Sequence, residues 1–268
     1  MYGEPVEGVE RGTGTPLVLL HGFGVDHRLL LPLDPTIQAA GGWRRIYLDL
    51  PGCGATPLGT VASAEDVAAV VRDEISARIG DEPFAVLGNS FGGMLARRVA
   101  HDLRGQVLGL ATIAAVFVAD HDRRDVPTKT VVIEDLDLID GLGEAGDAYR
   151  EVAVTHTAEN AEAFLAHAYP GLLVADSAGL DRIATRYAFD SEPESASPAP
   201  FTQPALFITG RQDHVVGYRD ALARLDHYPR ASFAVLDGAG HNVHLDQPEA
   251  TASLLNQWLR HIRQAGGT

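Results

Sequence analysis

The stretch Gly88-Asn89-Ser90-Phe91-Gly92 decides the fold of this chain, because it matches the pattern G-x-S-x-G. An apolar run over residues 84–87 precedes it and predicts a strand, and a helical pattern over residues 93–101 follows it. In such a sharp turn the serine hydroxyl is exposed at the carboxyl end of the sheet, and its neighbours must be small because larger side chains would clash. The amino end of the helix also favours negative charge at this point.

Other apolar runs predict a sheet around this turn. They cover residues 17–20, 45–49, 107–113, 205–209 and 232–236. Helical patterns separate several of them: one is capped by Ser63 and continues to Ile75, and two more cover residues 221–225 and 248–262. This alternation predicts an α/β fold with a mostly parallel central sheet and helices on both faces.

The alternation is interrupted between residues 116 and 198. Helical patterns such as residues 157–168 dominate there, 130–133 is the one strand-like run, and 192–200 is expected to form an extended link back to the sheet. The segment holds 17 acidic and 6 basic residues. We interpret it as a helical cap, or lid, inserted into a core made of residues 1–115 and 199–268. At the carboxyl edge of a parallel sheet, such a cap can shape a pocket and exclude water.

Two residues that are distant from Ser90 in sequence supply the groups that activate a serine. Asp213 follows the predicted strand 205–209, and His241 follows the predicted strand 232–236. Because the carboxyl ends of parallel strands lie at one edge of a sheet, we expect these side chains to converge on Ser90. Histidine can accept the serine proton, and a carboxylate fixes the histidine tautomer. The order Ser, Asp, His is the one expected for a nucleophile on a strand-turn-helix elbow.

The same edge offers backbone donors for an oxyanion. The N–H of Phe91 follows the serine directly, and the N–H of Phe23 lies in a loop after the predicted strand 17–20. Gly22 and Gly24 let that loop curl inward, and His21 is interpreted as its structural support. Gly88 and Gly92 are the small residues that flank the elbow.

Some alternatives remain open at this stage. His244 is a rival base, and Asp237 and Asp120 are rival acids. Cys53 is interpreted as a small turn residue rather than a second nucleophile.

The composition sets limits on the function. The 268 residues, with 46% hydrophobic content, suffice for one large α/β domain that carries an insertion. The formal net charge of −15 argues against nucleic acid and anionic membranes as partners, so we expect a small-molecule substrate. The sequence shows no apolar run of transmembrane length, no secretory pattern over its first residues, and no Walker or zinc spacing. We therefore expect a cytoplasmic protein with neither cofactor nor metal.

Taken together, these motifs resemble the α/β-hydrolase superfamily. Its landmarks are matched in order by His21-Gly22-Phe23-Gly24, Asp49-Leu50-Pro51-Gly52-Cys53-Gly54, Gly88-Asn89-Ser90-Phe91-Gly92-Gly93, Gly210-x-x-Asp213 and Gly240-His241. The resemblance implies a cofactor-free serine hydrolase in which Ser90 is the nucleophile, His241 the base and Asp213 the orienting acid. Phe23 and Phe91 would then supply the oxyanion-hole N–H groups.

The resemblance leaves the substrate open. The elbow is similar to those of carboxylesterases and of carbon–carbon bond hydrolases, but the latter often carry a tryptophan where this chain has Asn242. The expected substrate is a small, largely apolar ester, lactone or diketone. The alternatives are a perhydrolase or haloperoxidase-type enzyme, and a catalytically weak scaffold that serves as a small-molecule receptor.

Overall fold

A computed structural model describes residues 6–266 of the chain, and the structural statements below refer to that range. From the sequence we expect no secretory pattern over the first residues, and residues 1–5 lie outside the described residues. Seven strands form one sheet in the order β1-β3-β2-β4-β5-β6-β7. They are β1 Gly8–Arg11, β2 Thr15–Leu20, β3 Trp43–Leu48, β4 Phe84–Asn89, β5 Val107–Ile113, β6 Ala205–Gly210 and β7 Ala231–Leu236. Only β1 is antiparallel to its neighbour.

Twelve α-helices lie in the described range. They are α1 Asp34–Ala40, α2 Ala64–Ile79, α3 Phe91–Asp102, α4 Leu136–Gly141, α5 Ala145–Val152, α6 Ala158–His167, α7 Tyr169–Val174, α8 Ser177–Ala184, α9 Pro193–Ala196, α10 Arg219–Leu222, α11 Val243–Asp246 and α12 Pro248–Gly266. Short 3₁₀ helices cover His27–Leu33, His121–Arg123 and Leu225–His227.

The central strands are buried because they carry apolar side chains on both faces. All six residues of β4 are buried, and so are all six of β6. Helices α2 and α3 pack on each other, as do α1 and α12, and α3 and α12 both contact the central strands. This arrangement confirms the predicted α/β-hydrolase fold with a mostly parallel sheet.

Six of the seven strands lie where the apolar runs predict them, and the differences occur at polar or short elements. No apolar run predicted β1, because its four residues are mostly exposed at the sheet edge. The sequence patterns also missed α1 and the 3₁₀ helix His27–Leu33. The helix predicted over residues 221–225 was misplaced, because α10 ends at Leu222 and a 3₁₀ turn begins at Leu225.

The segment between β5 and β6 carries α4 to α9, all of ten residues or fewer. The strand-like run 130–133 makes a single bridge, from Ile133 to Thr155. The extended link over residues 192–200 was wrong in part, because Pro193 begins the short helix α9 and its fixed φ suits that first position. Within α6, Ala161 and Phe164 are buried, whereas Leu165 is 37% exposed. The boundaries of a cap at 116 and 198 stay a prediction.

Among the described helices, none is both long enough and apolar enough to cross a bilayer.

Candidate active site

Ser90 occupies a strained turn between β4 and α3. Its φ is 51° and its ψ is −117°, a conformation that residues other than glycine rarely adopt. Hydrogen bonds to the chain after β5 hold it: the Ser90 N–H donates to the Ile113 carbonyl at 3.0 Å, and the Ser90 carbonyl accepts from the Val116 N–H at 3.1 Å. The Ser90 side chain makes no capping bond to α3, so its hydroxyl is available to other groups.

The glycines around Ser90 are required by close backbone approach. A Cβ atom on Gly88 would lie 2.1 Å from the Gly92 carbonyl oxygen, and one on Gly92 would lie 2.1 Å from the Leu20 carbonyl oxygen. Both contacts are with backbone, which cannot move aside as a flexible side chain can. The elbow therefore tolerates no side chain at these two positions.

The side chains of Ser90, His241 and Asp213 lie in one hydrogen-bonded line. His241 Nε2 is 2.9 Å from Ser90 Oγ, and His241 Nδ1 is 3.2 Å from Asp213 Oδ2. The Asp213 side chain is fully buried, and its Oδ1 accepts the N–H groups of Val215 and Val216 at 2.9 and 3.1 Å. These two bonds orient the carboxylate. The carboxylate favours the tautomer of His241 in which Nδ1 carries the hydrogen and donates it to Asp213, and this leaves Nε2 free to accept the serine proton.

The rival base and acids lie elsewhere. His244 is buried, and its Nε2 donates to the Leu29 carbonyl at 2.8 Å. Burial lowers the pKa of His244 to about 4. Asp237 accepts a hydrogen bond from Gln212 on the surface, and Asp120 caps a 3₁₀ turn. The structure therefore brings His241 and Asp213 to Ser90 rather than these residues.

The loop of residues 21–24 packs against the elbow. A Cβ on Gly22 would lie 3.3 Å from Ser90 Cβ, Gly24 has a φ of 75°, and the rings of Phe23 and Phe91 meet edge to face at 5.3 Å. Because Phe91 is the first residue of α3, its N–H has no acceptor within the helix. The loop thus lies against the elbow through Gly22 and the Phe23 ring, and the role of the Phe23 and Phe91 N–H groups as oxyanion donors stays a prediction.

His21 braces this loop from inside. It is fully buried, its Nδ1–H donates to the Gly22 carbonyl at 2.7 Å, and its Nε2 accepts the Leu50 N–H at 2.9 Å. Burial lowers the pKa of His21, which keeps the ring neutral. With both nitrogens engaged in backbone bonds, His21 has the geometry of a support rather than of a proton carrier.

A small cavity of about 120 Å³ adjoins the Ser90 hydroxyl. The segment between β5 and β6 supplies much of its wall through Ala148 and Val152 of α5, Phe164 of α6 and Leu172 of α7. The remaining lining residues are Gly22, Phe23, Val25, Leu29, Asn89, Ser90, Ala168, His241 and Asn242. The wall is largely apolar, so the cavity suits a short hydrocarbon group next to the reacting serine.

Two other sets of side chains among the described residues carry metal-binding or nucleophilic atoms. Asp26, His27 and Asp49 lie close enough to share an ion, but Asp26 is paired with Arg28, and Asp49 accepts the N–H and Nδ1–H of His27. Burial raises the pKa of the Cys53 thiol to about 12, so it remains protonated at neutral pH. These contacts are those of loop-forming residues.

Sequence reasoning missed two polar residues that support the site. The Asn89 amide donates to the Ile113 carbonyl at 3.1 Å, which ties the elbow to β5. Asp246 accepts the Gly240 N–H at 2.7 Å and the Asn160 amide at 2.8 Å, so it links the His241 loop to α6. No local pattern signals either role, because the partners are distant in sequence.

The fold and the geometry around Ser90 agree with a match to a known family. The model of the alpha/beta hydrolase family matches residues 17–254. The chain belongs to the alpha/beta hydrolase family. This confirms the resemblance that the five sequence landmarks indicated, and with it the prediction of an enzyme of the hydrolase type.

Named relatives and solved structures agree with this membership. The chain is 28% identical to the biotin biosynthesis bifunctional protein BioHC of Teredinibacter turnerae over 91% of its own length, but the match spans only 44% of that protein. It is 26% identical to the pimeloyl-[acyl-carrier protein] methyl ester esterase of Shewanella woodyi, over 92% of this chain and 95% of that one. Among solved structures, an alpha/beta superfamily hydrolase from Oenococcus oeni superposes with a TM-score of 0.90 at 27% identity, covering 96% of both chains.

Proposed function

We propose that this alpha/beta hydrolase is a cofactor-free serine esterase. Ser90 Oγ attacks the carbonyl carbon of an ester while His241 Nε2 accepts the serine proton. Asp213 keeps the imidazole in the required tautomer and stabilises its charged form. The N–H groups of Phe23 and Phe91 receive the negative charge that develops on the carbonyl oxygen, a role in which each donor is typically worth about 3–4 kcal/mol.

The tetrahedral intermediate then collapses to an acyl-enzyme. The ester C–O bond breaks, and His241 gives its proton to the leaving alcohol. Water next attacks the acyl carbon while His241 accepts one of its protons, and the acid is released as Ser90 regains its hydrogen. All proton transfers pass through one imidazole, so the reaction needs no other acid or base.

One observation carries this proposal: a fully buried carboxylate, an imidazole and the hydroxyl of Ser90 form a continuous line with contacts of 3.2 and 2.9 Å. The strained conformation of Ser90 is not explained by helix capping, because the Ser90 side chain makes no hydrogen bond to α3. Strained backbone conformations of this kind cluster at active sites, where the surrounding structure holds them.

The cavity and the relatives both support a proposal for the substrate class. A volume of about 120 Å³ is well below the 300–1,000 Å³ of pockets that enclose drug-sized ligands. We propose a methyl ester or another ester with a short, uncharged group in this cavity. The relatives named as methyl ester esterases support the ester bond and the small alcohol.

The decisive variant is Ser90→Ala, assayed with p-nitrophenyl acetate. We expect kcat to fall roughly 10⁴- to 10⁶-fold with little change in stability, because the nucleophile is lost but the packing is not. Ser76→Ala, on the exposed side of α2, is the matched control and should keep wild-type turnover. Unchanged turnover in Ser90→Ala would reject the proposal.

A substrate panel separates the esterase from the other chemistries of this superfamily. Methyl esters of free acids and of carrier-linked acids test whether the acyl group must be presented by a carrier, and faster turnover of the carrier-linked form would contradict a free small substrate. Faster cleavage of a vinylogous diketone than of any ester would indicate a carbon–carbon bond hydrolase. Dependence on peroxide would indicate a perhydrolase, and a single acylation with retained product would indicate a receptor.

A further inference from the structure

Arg97 is a buried charge on the helix that begins at the nucleophile. It lies two turns beyond Ser90 on α3, and its side chain is completely inaccessible to solvent. Its Nε and Nη2 donate to the two oxygens of Glu194 at 2.9 and 2.6 Å, and Nη2 also donates to Glu192 at 3.2 Å. Its Nη1 donates to the Val116 carbonyl at 2.9 Å, and the guanidinium lies 4.1 Å from the centre of the Phe117 ring.

Val116 connects this arginine to the nucleophile. Its carbonyl accepts from Arg97, while its N–H donates to the Ser90 carbonyl at 3.1 Å. The peptide groups on both sides of Val116 are therefore held between the arginine and the elbow. A change in the position of Val116 would be transmitted directly to the Ser90 backbone.

The elbow needs such support because it is strained. Ser90 and Ala114 are the two described residues other than glycine with a positive φ, at 51° and 45°. Residues in this conformation persist only where the surrounding structure holds them. The chain that runs from Ala114 to Val116 is bonded to β6 through the Ala114 N–H, which donates to Ile208 at 2.8 Å, and to α3 through Arg97.

The acidic partners of Arg97 come from the far end of the segment between β5 and β6. Glu194 belongs to α9, and its Oε1 also accepts the Tyr228 hydroxyl at 2.5 Å. Burial alone would raise the pKa of Glu194, but the charge of Arg97 and the hydrogen bonds from Arg97 and Tyr228 lower it to about 2. One ionised cluster thus joins both ends of the segment to the nucleophile helix.

We infer that Arg97 is a positioning residue of the reaction: held by Glu192 and Glu194, it fixes Val116 and through it the backbone of Ser90. Arg97 touches no substrate, and the inference rests on the proposed role of Ser90 as the nucleophile. It also gives the acids at residues 192 and 194 a specific function, namely to keep the arginine directed at the Val116 carbonyl.

The test must separate positioning from simple stabilisation. Arg97→Ala alone leaves the Glu194 carboxylate buried without its partner, which destabilises the fold whatever the role of the arginine. The double variant Arg97→Met with Glu194→Gln removes both charges, and such replacement of a buried pair by uncharged groups of similar volume is often neutral for stability. The double variant nevertheless removes the hydrogen bond from Arg97 to the Val116 carbonyl.

We expect the melting temperature of the double variant to lie within a few degrees of the wild-type value. Its kcat should fall roughly 10- to 100-fold with KM nearly unchanged, because the variant displaces the nucleophile and leaves the substrate site intact. The Val116 amide should exchange with solvent faster. Glu194→Gln alone should give a smaller loss of kcat, since Glu192 still holds the arginine. Arg98→Met is the matched control, because Arg98 pairs with Glu65 and Asp102 near the surface and should leave kcat unchanged.

Wild-type kcat in a stably folded double variant, or fast exchange at Val116 with unchanged kcat, overturns the inference. If the double variant does not fold, Glu194→Gln is compared with the wild type instead. An unchanged kcat in Glu194→Gln then also overturns the inference. These outcomes differ from a failure of the proposed function, which would appear in the wild type as turnover that does not depend on Ser90.

Discussion

Gly22 brings the backbone of the loop of residues 21–24 against the nucleophile. In Gly22→Ala, the added Cβ would lie 2.9 Å from the Asn89 Oδ1 and 3.3 Å from Ser90 Cβ, so the loop or the elbow must shift. We expect kcat to fall roughly 10-fold or more with a modest loss of stability, because a small displacement of oxyanion donors is costly.

Steady-state kinetics of purified Gly22→Ala checks this expectation. Gly105→Ala is the control, since a Cβ there meets no atom within 4 Å. Equal kcat values for the wild type and both variants would show that the loop does not set the reaction geometry.

We expect Asp246 to make the stability of the protein depend on pH near neutrality. Burial raises its pKa to about 7, although hydrogen bonds from Gly240 and Asn160 and the nearby His241 oppose this shift; Asp213 adds to it. Between about pH 4 and pH 7 the folded chain keeps a proton on Asp246 that the unfolded chain has released. The contribution of Asp246 to the free energy of unfolding therefore falls as the pH rises through this range.

Asp246→Asn should remove this dependence, because an asparagine side chain does not ionise. Its amide oxygen can still accept the Gly240 N–H, and its amide nitrogen can donate to the Asn160 side-chain oxygen once the Asn160 amide group has flipped. Urea denaturation at a series of pH values measures it. The wild type should lose more stability than the variant between pH 5 and pH 8, and the exposed Asp237→Asn should follow the wild type. Parallel pH profiles for all three proteins would contradict the assignment.

At the scale of elements, apolar periodicity located the strands because the sheet is buried on both faces. β5 was predicted with its observed bounds, whereas β1 was missed since its residues alternate little and face solvent. The helices between β5 and β6 were poorly defined because each has ten residues or fewer and packs on neighbours distant in sequence. No sequence pattern signals the burial of Arg97, which depends on the return of α9 to its side.

We expect Leu172 of α7 to limit the size of the group that binds beside Ser90. It lines the 120 Å³ cavity and is 40% exposed, so Leu172→Ala should enlarge the cavity at little cost in stability. We expect the ratio of kcat/KM for a hexanoate ester to that for an acetate ester to rise roughly 10-fold, in line with the value of a few methylene groups in an apolar pocket.

Leu173→Ala is the matched control, since Leu173 is 65% exposed and does not line the cavity. Both variants are compared by esters of graded chain length. The same chain-length preference in Leu172→Ala as in Leu173→Ala would show that the wall of the cavity lies elsewhere.

At the scale of the whole molecule, the site is a product of the parallel sheet. Ser90 follows β4, Asp213 follows β6 and His241 follows β7, so the strand order alone brings residues from both halves of the chain to one edge. This is why the convergence could be predicted from sequence. Two features could not be predicted from sequence: the size of the cavity, and the support that the site receives from Asn89, Arg97 and Asp246. Both depend on side-chain contacts between segments whose sequences carry no common motif.

The most direct measurement is the rate and position of labelling by a fluorophosphonate, read by intact mass and peptide mapping. The Ser90 oxygen displaces fluoride from phosphorus only if a base removes its proton, so the label reports activation of the hydroxyl itself. The account predicts one adduct per chain on Ser90, formed at least roughly 10³-fold more slowly in His241→Gln. An adduct on another residue, or equal rates in the wild type and His241→Gln, would contradict it.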